Sequence, residues 1–274
     1  MQQKYEVRSG RNKYHLIPYV GNKSGFSGIF DELIPSGVVD GRQIVDVFGG
    51  SGAFAIYCCF RFGSDGVVYN DNNPVLYNFM KAVRDDVSGL ISEYKKHQEC
   101  SSSTYYTNMR TSSLAEGTIG AGRFMYLAKN AFSGKIRFNN KNQFNTPMRK
   151  GTKCPSIQEE RIHAISDAIS SMKIQCVDFE NFADVRGAFL YLDPPYMNNT
   201  NWHYNGVPSL ESFAGFVHAI TSYNHVMISE QNEPAAIGIP DEYTVHRVAL
   251  RRSLQYTTQK DSREIIAINY SVSK

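Results

Sequence analysis

The sequence has few cysteines and no long apolar run, and both absences argue against whole classes of protein. Its five cysteines are odd in number and show neither a Cys-x-x-Cys motif nor a metal-binding spacing with histidine. This usage argues against a disulfide framework and predicts a reduced, cytoplasmic protein without a bound metal. Residues 1–16 are charged, which predicts no signal peptide. Residues 44–60, the most apolar stretch, contain Asp46 and several small residues and are too short to cross a membrane.

Acidic side chains are missing from one part of the chain. Residues 123–153 contain eight lysines and arginines and no aspartate or glutamate, whereas the net charge of the whole chain is only +3. Such a window is either a solvated loop or a surface that contacts a polyanion, and composition leaves both interpretations open.

Short apolar runs alternate with helical patterns at both ends of the chain. Fully apolar strands in this alternation are typical of a parallel α/β sheet. The predicted strands are residues 43–48, 66–71, 173–179, 188–193, 225–229, 242–250 and 264–272.

The middle of the chain breaks this alternation and predicts an insertion. We expect residues 1–85 and 173–274 to form one domain and residues 86–172 to form the inserted one. Within the insertion, residues 100–108 have a loop-like composition, and the arms around "NNKN" predict a β-hairpin. Residues 155–172 have the pattern of an amphipathic helix with Ser156 as its N-cap.

A glycine-rich turn, "DVFGGSG" at residues 46–52, follows the first predicted strand and opens a helix. Glycines allow a ligand to approach the backbone, and the N-terminus of a helix offers free N–H groups. About 20 residues later Asp71 ends the second predicted strand, where an acid can bind ribose hydroxyls. Either feature alone is equally well a tight turn or a helix cap, but the two together predict a nucleoside-type ligand.

The tetrapeptide "DPPY" at residues 193–196 ends another buried strand. The prolines remove two N–H donors, so the Asp193 carboxylate and the Pro194 carbonyl dominate as acceptors, and Tyr196 offers an aromatic face. This set suits a flat heterocycle with an exocyclic amino group, because two acceptors holding both N–H bonds favour a pyramidal nitrogen whose lone pair can attack. A rigid turn is the structural alternative.

With these motifs in order, the sequence resembles the DNA adenine methylase type of DNA methyltransferases, the D12 class. The resemblance covers nearly the whole chain. It includes "YVGNK" at 19–23, "DVFGGSG", "YND" ending at Asp71, "VDF" at 177–179, "YLDPPY", and a hairpin-like segment at 130–149. It implies a Rossmann-like class I methyltransferase sheet with an inserted, mainly helical DNA-recognition domain carrying a β-hairpin. It also implies methyl transfer from S-adenosylmethionine to adenine N6 in a short duplex DNA sequence by base flipping.

The resemblance also implies residue roles. Catalysis would use Asp193, Pro194 and Tyr196. The cofactor would be held by Tyr19, Lys23, Phe48, Gly49, Gly52, Asp71, Asp178 and Phe179. DNA would be contacted by Lys135, Arg137, Phe138, Asn139 and Lys141. We expect double-stranded DNA as the partner, a monomer or weak dimer, and neither a metal nor a membrane.

Two alternatives to adenine methylation follow from the same residues. Cytosine-N4 methylation uses similar acceptors, and a catalytically silent protein could bind the cofactor and DNA. Cytosine-C5 methylation is disfavoured because it needs a cysteine nucleophile and the sequence has no Pro-Cys pair. Phe138 has two interpretations of its own, as a hairpin core residue or as a wedge beside the flipped base.

Overall fold

A computed structural model describes residues 4–7, 14–111, 114, 116–139, 143–151, 153–195, 208–231, 233–250 and 262–272. In this part of the chain the strands are β1 (Lys4–Val7), β2 (Ile44–Asp46), β3 (Val67–Asn70), β4 (Lys173–Gln175), β5 (Phe189–Leu192), β6 (His225–Glu230), β7 (Thr244–Leu250) and β8 (Ser262–Ile268). The α-helices are α1 (Ser27–Leu33), α2 (Ser36–Val39), α3 (Ala53–Phe62), α4 (Pro74–Asp85), α5 (Val87–Glu99), α6 (Ser103–Thr111), α7 (Gly117–Asn130), α8 (Glu159–Ala168) and α9 (Leu210–Thr221).

All the described strands join one sheet in the order β1-β7-β8-β6-β5-β2-β3-β4. The strands from β2 to β6 pair in parallel, whereas β8 runs antiparallel to both β6 and β7. The strand order reverses between β2 and β5, and the antiparallel β8 lies between β6 and β7. This arrangement confirms the predicted Rossmann-like methyltransferase sheet. One strand departs from the predicted parallel pattern, since β8 runs antiparallel to both of its neighbours.

Successive residues of the central strands face opposite sides of the sheet, as strand geometry requires. In β2 and β5, Ile44, Phe189 and Tyr191 join the larger hydrophobic cluster. The alternating residues Val45 and Leu190 join a second cluster with α9. Both faces are therefore covered, which explains why these strands are almost continuously apolar.

The larger cluster continues from the sheet into the helices of residues 86–172. Leu90, Tyr94 and Phe124 from α5 and α7 belong to the same buried cluster as Phe54 and Tyr69. The helices α5 and α7, from the part of the chain predicted as an insertion, therefore share a core with the sheet.

Two local predictions in the insertion were wrong. Residues 100–108 are not a loop, because α6 spans Ser103–Thr111 and buries Tyr106, whose hydroxyl donates to the Thr146 carbonyl at 3.0 Å. The predicted helix of residues 155–172 is α8, which begins at Glu159 and has Gln158 rather than Ser156 as its N-cap. Side chains of α5 hold the Pro155 carbonyl, with Tyr94 Oη at 2.6 Å and Gln98 Nε2 at 2.7 Å. These contacts keep the preceding segment outside the helix.

The predicted hairpin is present as a short antiparallel pair. Phe138 and Phe144 form an antiparallel bridge. Asn139 N donates to Gln143 O at 2.9 Å, and Asn145 N donates to Arg137 O at 2.7 Å. The tip, residues 140–142, lies outside the described residues. Among the helices that the structure describes, none has the length and apolarity to cross a bilayer.

Candidate active site

Three sequence motifs meet at the carboxyl ends of β2, β3 and β5, beside the point where the strand order reverses. Open α/β sheets bind ligands in this crevice. Val47 N continues the pairing of β2 with β5 by donating to Tyr191 O at 3.1 Å. The glycine turn, Asp71 and Asp193 therefore leave the sheet next to one another.

The glycine turn is held against the end of β3. Gly49 N donates to Asn70 O at 2.7 Å, and Tyr69 Oη donates to Gly50 O at 2.8 Å. A Cβ atom on Gly49 would lie 2.2 Å from the Tyr69 ring, so this close approach requires glycine. Gly52 has φ +78° and caps α3 in the left-handed region that favours glycine.

Asp71 fixes the turn from the other side. Its carboxylate accepts Gly50 N and Asn73 N, each at 2.8 Å. Burial raises the pKa of Asp71 to about 6, while the two backbone N–H groups oppose that shift. Each carboxylate oxygen can accept more than one hydrogen bond, so the group retains capacity for a ligand hydroxyl.

Asn70 is a structural residue of the site that the sequence interpretation missed. Its amide Nδ2 donates to Val47 O at 2.9 Å and to Val177 O at 3.1 Å, and its Oδ1 accepts Val177 N at 3.0 Å. The side chain is 1% exposed. It joins the ends of three strands, and the signal for it was a polar residue next to Asp71 in "YND".

Lys23 lies against the Asp193 carboxylate. Its Nζ donates to Asp193 Oδ1 at 2.7 Å, to Asp193 Oδ2 at 2.9 Å and to Gly21 O at 3.0 Å. It also forms an ion pair with Glu264 Oε1 at 2.9 Å, without the angles of a hydrogen bond. The side chains of Lys23 and Glu264 are each 3% exposed, whereas that of Asp193 is 21% exposed. Asp193 is therefore the member of this trio that faces outward.

The site contains more carboxylates than these. The pKa of Asp193 is raised to about 7, and burial is the largest cause. The charge of Lys23 opposes this increase, whereas the charges of Glu264 and Glu230 add to it. Asp46 is 1% exposed, and burial together with the charge of Asp193 raises its pKa well above the usual range. Asp46 Oδ2 accepts Ala55 N at 3.2 Å, but Oδ1 has no hydrogen-bond partner among the described residues. This orphaned acceptor belongs to the first residue of the glycine turn.

Comparison with known proteins identifies the family. Residues 19–249 match the family described as D12 class N6 adenine-specific DNA methyltransferase. The chain belongs to this family. The match favours adenine over cytosine-N4 and an enzyme over a silent binding protein, as the resemblance implied.

The matches to individual relatives extend over most of both chains. The chain is 27% identical to the type II methyltransferase M1.LlaDCHI of Lactococcus lactis subsp. cremoris, over 95% of this chain and 98% of that protein. It is 24% identical to the retron Ec67 DNA adenine methylase of Escherichia coli, over 93% and 90%. It is 26% identical to the DNA adenine methylase of Haemophilus influenzae, over 82% and 84%.

The other cofactor residues expected of a D12 methyltransferase lie around the same edge. A Cβ atom on Gly50 would lie 3.1 Å from the Tyr19 ring, so Tyr19 covers the glycine turn. Phe48 packs against Phe179 with 5.5 Å between ring centroids. Asp178 is exposed and accepts Glu180 N at 3.0 Å, which caps the 3₁₀ turn of Phe179–Phe182.

The DNA-contacting residues expected of this D12 methyltransferase differ in their surroundings. Arg137 is exposed, and Lys135 and Asn139 are half-buried. Phe138 is half-buried and packs against the larger core cluster, with its ring centroid 6.5 Å from that of Phe124 and 5.9 Å from that of Phe144. That packing is what the core interpretation of Phe138 requires.

Two of the expected site residues, Tyr196 and Lys141, lie outside the described residues, whereas Pro194 is buried directly beside Asp193. Among the residues that are described, no group of three or more His, Cys, Asp or Glu side chains is arranged to hold a metal.

Proposed function

We propose that this D12 methyltransferase takes its methyl group from S-adenosylmethionine and transfers it to an adenine flipped out of duplex DNA and held at Asp193 and Pro194. One observation carries the proposal. Adjacent residues of the N-terminal segment contact both motifs, since Asn22 Nδ2 donates to Ser51 Oγ at 3.1 Å and Lys23 pairs with Asp193. These contacts support the proposal that the glycine turn and the "DPPY" motif form one site.

The residues at the glycine turn fit the chemistry of S-adenosylmethionine. The buried Oδ1 of Asp46 has no hydrogen-bond partner among the described residues, so a polar group of a bound ligand could satisfy it. Asp71 would accept a ribose hydroxyl, Asp178 and Phe179 would hold the adenine ring, and Tyr19 would cover the methionine end. When bound, the cofactor supplies an electrophilic methyl group on a sulfonium centre.

Asp193 would act on the target amine. The lone pair of an adenine amino group is delocalised into the ring, which makes the nitrogen a poor nucleophile. If the Asp193 carboxylate and the Pro194 carbonyl accept its two N–H bonds, the nitrogen can become pyramidal and its lone pair can attack the methyl carbon. The N–C bond would form as the methyl–sulfur bond breaks to leave a neutral thioether, and the methylated nitrogen would lose one proton to the Asp193 carboxylate. Tyr196 would stack on the base.

Residues 86–172 would form the target-recognition part. A cavity of about 750 Å³ in this region is lined by Arg110, Arg149, Lys150 and Lys153 together with serine hydroxyls. Basic side chains that neutralise phosphates give affinity that falls with salt. The amino group of a paired adenine is inside the duplex, so the base must leave the stack before reaction. We propose a monomer or weak dimer, and location in the cytoplasm stays a prediction.

The variant Asp193→Ala tests the role of Asp193. It is expected to bind S-adenosylmethionine and DNA yet to lose turnover by at least about 100-fold, because the acceptor acts mainly as charge develops on nitrogen. The assay measures methylated nucleosides by mass spectrometry after digestion of the DNA. Asp184→Ala is the control, since the Asp184 side chain is fully exposed. Near wild-type turnover in folded Asp193→Ala would refute the proposed role of Asp193 as an acceptor for the amine. N4-methylcytosine in the wild-type digest would refute adenine as the target base.

A further inference from the structure

Glu264 is a buried acid at the catalytic edge that the proposed mechanism does not use. It lies on β8 and is 2% exposed. The antiparallel pairing of β8 with β6 places Ile265 opposite Glu230, so two acids from neighbouring strands come to the end of the sheet beside Asp193. A fully buried glutamate is rare unless it is paired, and the partner of Glu264 is the Lys23 ammonium.

The Lys23 ammonium is shared among several oxygens. Nζ has three N–H donors, and four oxygens lie within 3.0 Å of it, two from Asp193, one from Gly21 and one from Glu264. Asp193 is thus one of two carboxylates that neutralise a single positive charge. A carboxylate that pairs with an ammonium by itself is a weaker hydrogen-bond acceptor for another donor than a carboxylate that shares the ammonium with a second acid.

We propose that Glu264 is a positioning residue for methyl transfer: it holds Lys23 from the buried side and shares its charge, which keeps the Asp193 carboxylate a strong acceptor for the target amine. The proposal rests on the proposed role of Asp193. Since the Glu264 side chain is 3% exposed, it acts through Lys23 rather than on the substrate.

The proposal predicts a pH signature. The groups around Asp193 are Lys23 from the N-terminal segment, Glu264 on β8, Glu230 on β6, Asp46 at the end of β2 and Tyr191 on β5. Burial raises the pKa of Asp193 to about 7, and the charge of Glu264 contributes to that increase. Removing the charge of Glu264 must therefore lower the pKa of Asp193. The acidic limb of the pH–activity profile should therefore move to lower pH. The maximal activity at higher pH should fall, because Asp193 becomes a weaker acceptor.

The test compares kcat and KM for duplex DNA of Glu264→Gln, Glu264→Asp and wild type between pH 5.5 and 9. In Glu264→Gln we expect the midpoint of the acidic limb to fall by about one pH unit, the plateau kcat to fall about 10-fold and KM for DNA to stay nearly constant. Glu264→Asp keeps the charge but draws it back by one methylene, so its midpoint should lie between the other two. The control is Glu159→Gln, which removes a carboxylate from an exposed ion pair with Lys95 and should not change the profile.

A lower plateau with an unmoved midpoint in Glu264→Gln would show a merely structural role and overturn the inference. If Glu264→Gln does not fold, the Glu264→Asp profile decides in the same way. Asp193→Ala separates the two proposals. If Asp193→Ala is inactive and the midpoint of Glu264→Gln is unmoved, only this inference fails, whereas an active Asp193→Ala overturns both.

Discussion

Replacing Lys23 with methionine tests the electrostatics of the site most directly. The change removes an ammonium that is 3% exposed and contacts the carboxylates of Asp193 and Glu264 at 2.7–2.9 Å. The methylene stem is largely preserved, so the loss is mainly one of charge. Breaking a buried ion pair by removing one partner costs about 3–5 kcal/mol, because the remaining charge is uncompensated.

This loss of stability should depend on pH in a defined direction. Lys23 lowers the pKa of Asp193, which is about 7 in the wild type, so the variant should have a still higher value. A carboxyl group whose folded-state pKa is raised destabilises the fold when it ionises. The loss relative to wild type should therefore grow above pH 7, by about 1.4 kcal/mol per pH unit for one proton, until the new pKa is reached.

Urea unfolding at pH 6, 7.5 and 9 measures this effect. We expect the smallest loss at pH 6 and the largest at pH 9. The control Lys95→Met makes the same substitution in a pair with Glu159 that is nearly half exposed, and it should cost less than about 1 kcal/mol at each pH. An equal loss for Lys23→Met at all three pH values would refute the reasoning.

The remaining predictions concern the cofactor and the hairpin. Asp71→Ala removes a charged acceptor and should weaken S-adenosylmethionine binding by about 1.5–3 kcal/mol; unchanged affinity by calorimetry in the folded variant would argue against a ribose contact. Phe138→Ala removes a ring that packs against Phe124 and Phe144, and should cost about 2–3 kcal/mol of stability while activity per folded molecule is retained; a stable variant with slow base flipping, followed by 2-aminopurine fluorescence, would favour the wedge. Arg137→Ala should reduce the salt slope of DNA affinity by about one unit and weaken binding evenly across sequences, whereas a relaxed preferred site would indicate base readout.

The central sheet was predictable because its signals are local. The strands β2, β3 and β5 are short apolar runs, and buried parallel strands have this composition. An acid marks the end of each: Asp46 is the last residue of β2, and Asp71 and Asp193 directly follow β3 and β5. The glycine turn and Asp71 were expected to share a ligand, and they are joined by the hydrogen bond from Gly50 N. The polar composition of residues 100–108 predicted a loop, but tertiary contacts stabilise a helix there. The polar α6 is a helix that buries Tyr106 against Tyr126 of α7.

The pairing of Lys23 with Glu264 depends on sheet order, which no local pattern specifies. β8 lies between β6 and β7, so its first residues reach the end of the sheet beside Asp193 only through long-range antiparallel pairing. The sequence does contain a signal for it. Glu264 begins the apolar run of β8 and has the same parity as Ile266 and Ile268, which face the larger core cluster.

An acid at a core-facing position needs a buried cation, and the N-terminal Gly-x-Lys segment contains one. Matching the two requires only that charges be paired when they are buried. The resemblance had assigned Lys23 to the cofactor, and it now lies 2.7 Å from the proposed catalytic carboxylate. Because one ammonium joins the segment beside the glycine turn, the "DPPY" loop and β8, a change in any of the three should alter the acceptor strength of Asp193. The acidic limb of the pH–activity profile should move to higher pH in Lys23→Met and to lower pH in Glu264→Gln. These opposite shifts distinguish electrostatic coupling from a simple loss of packing.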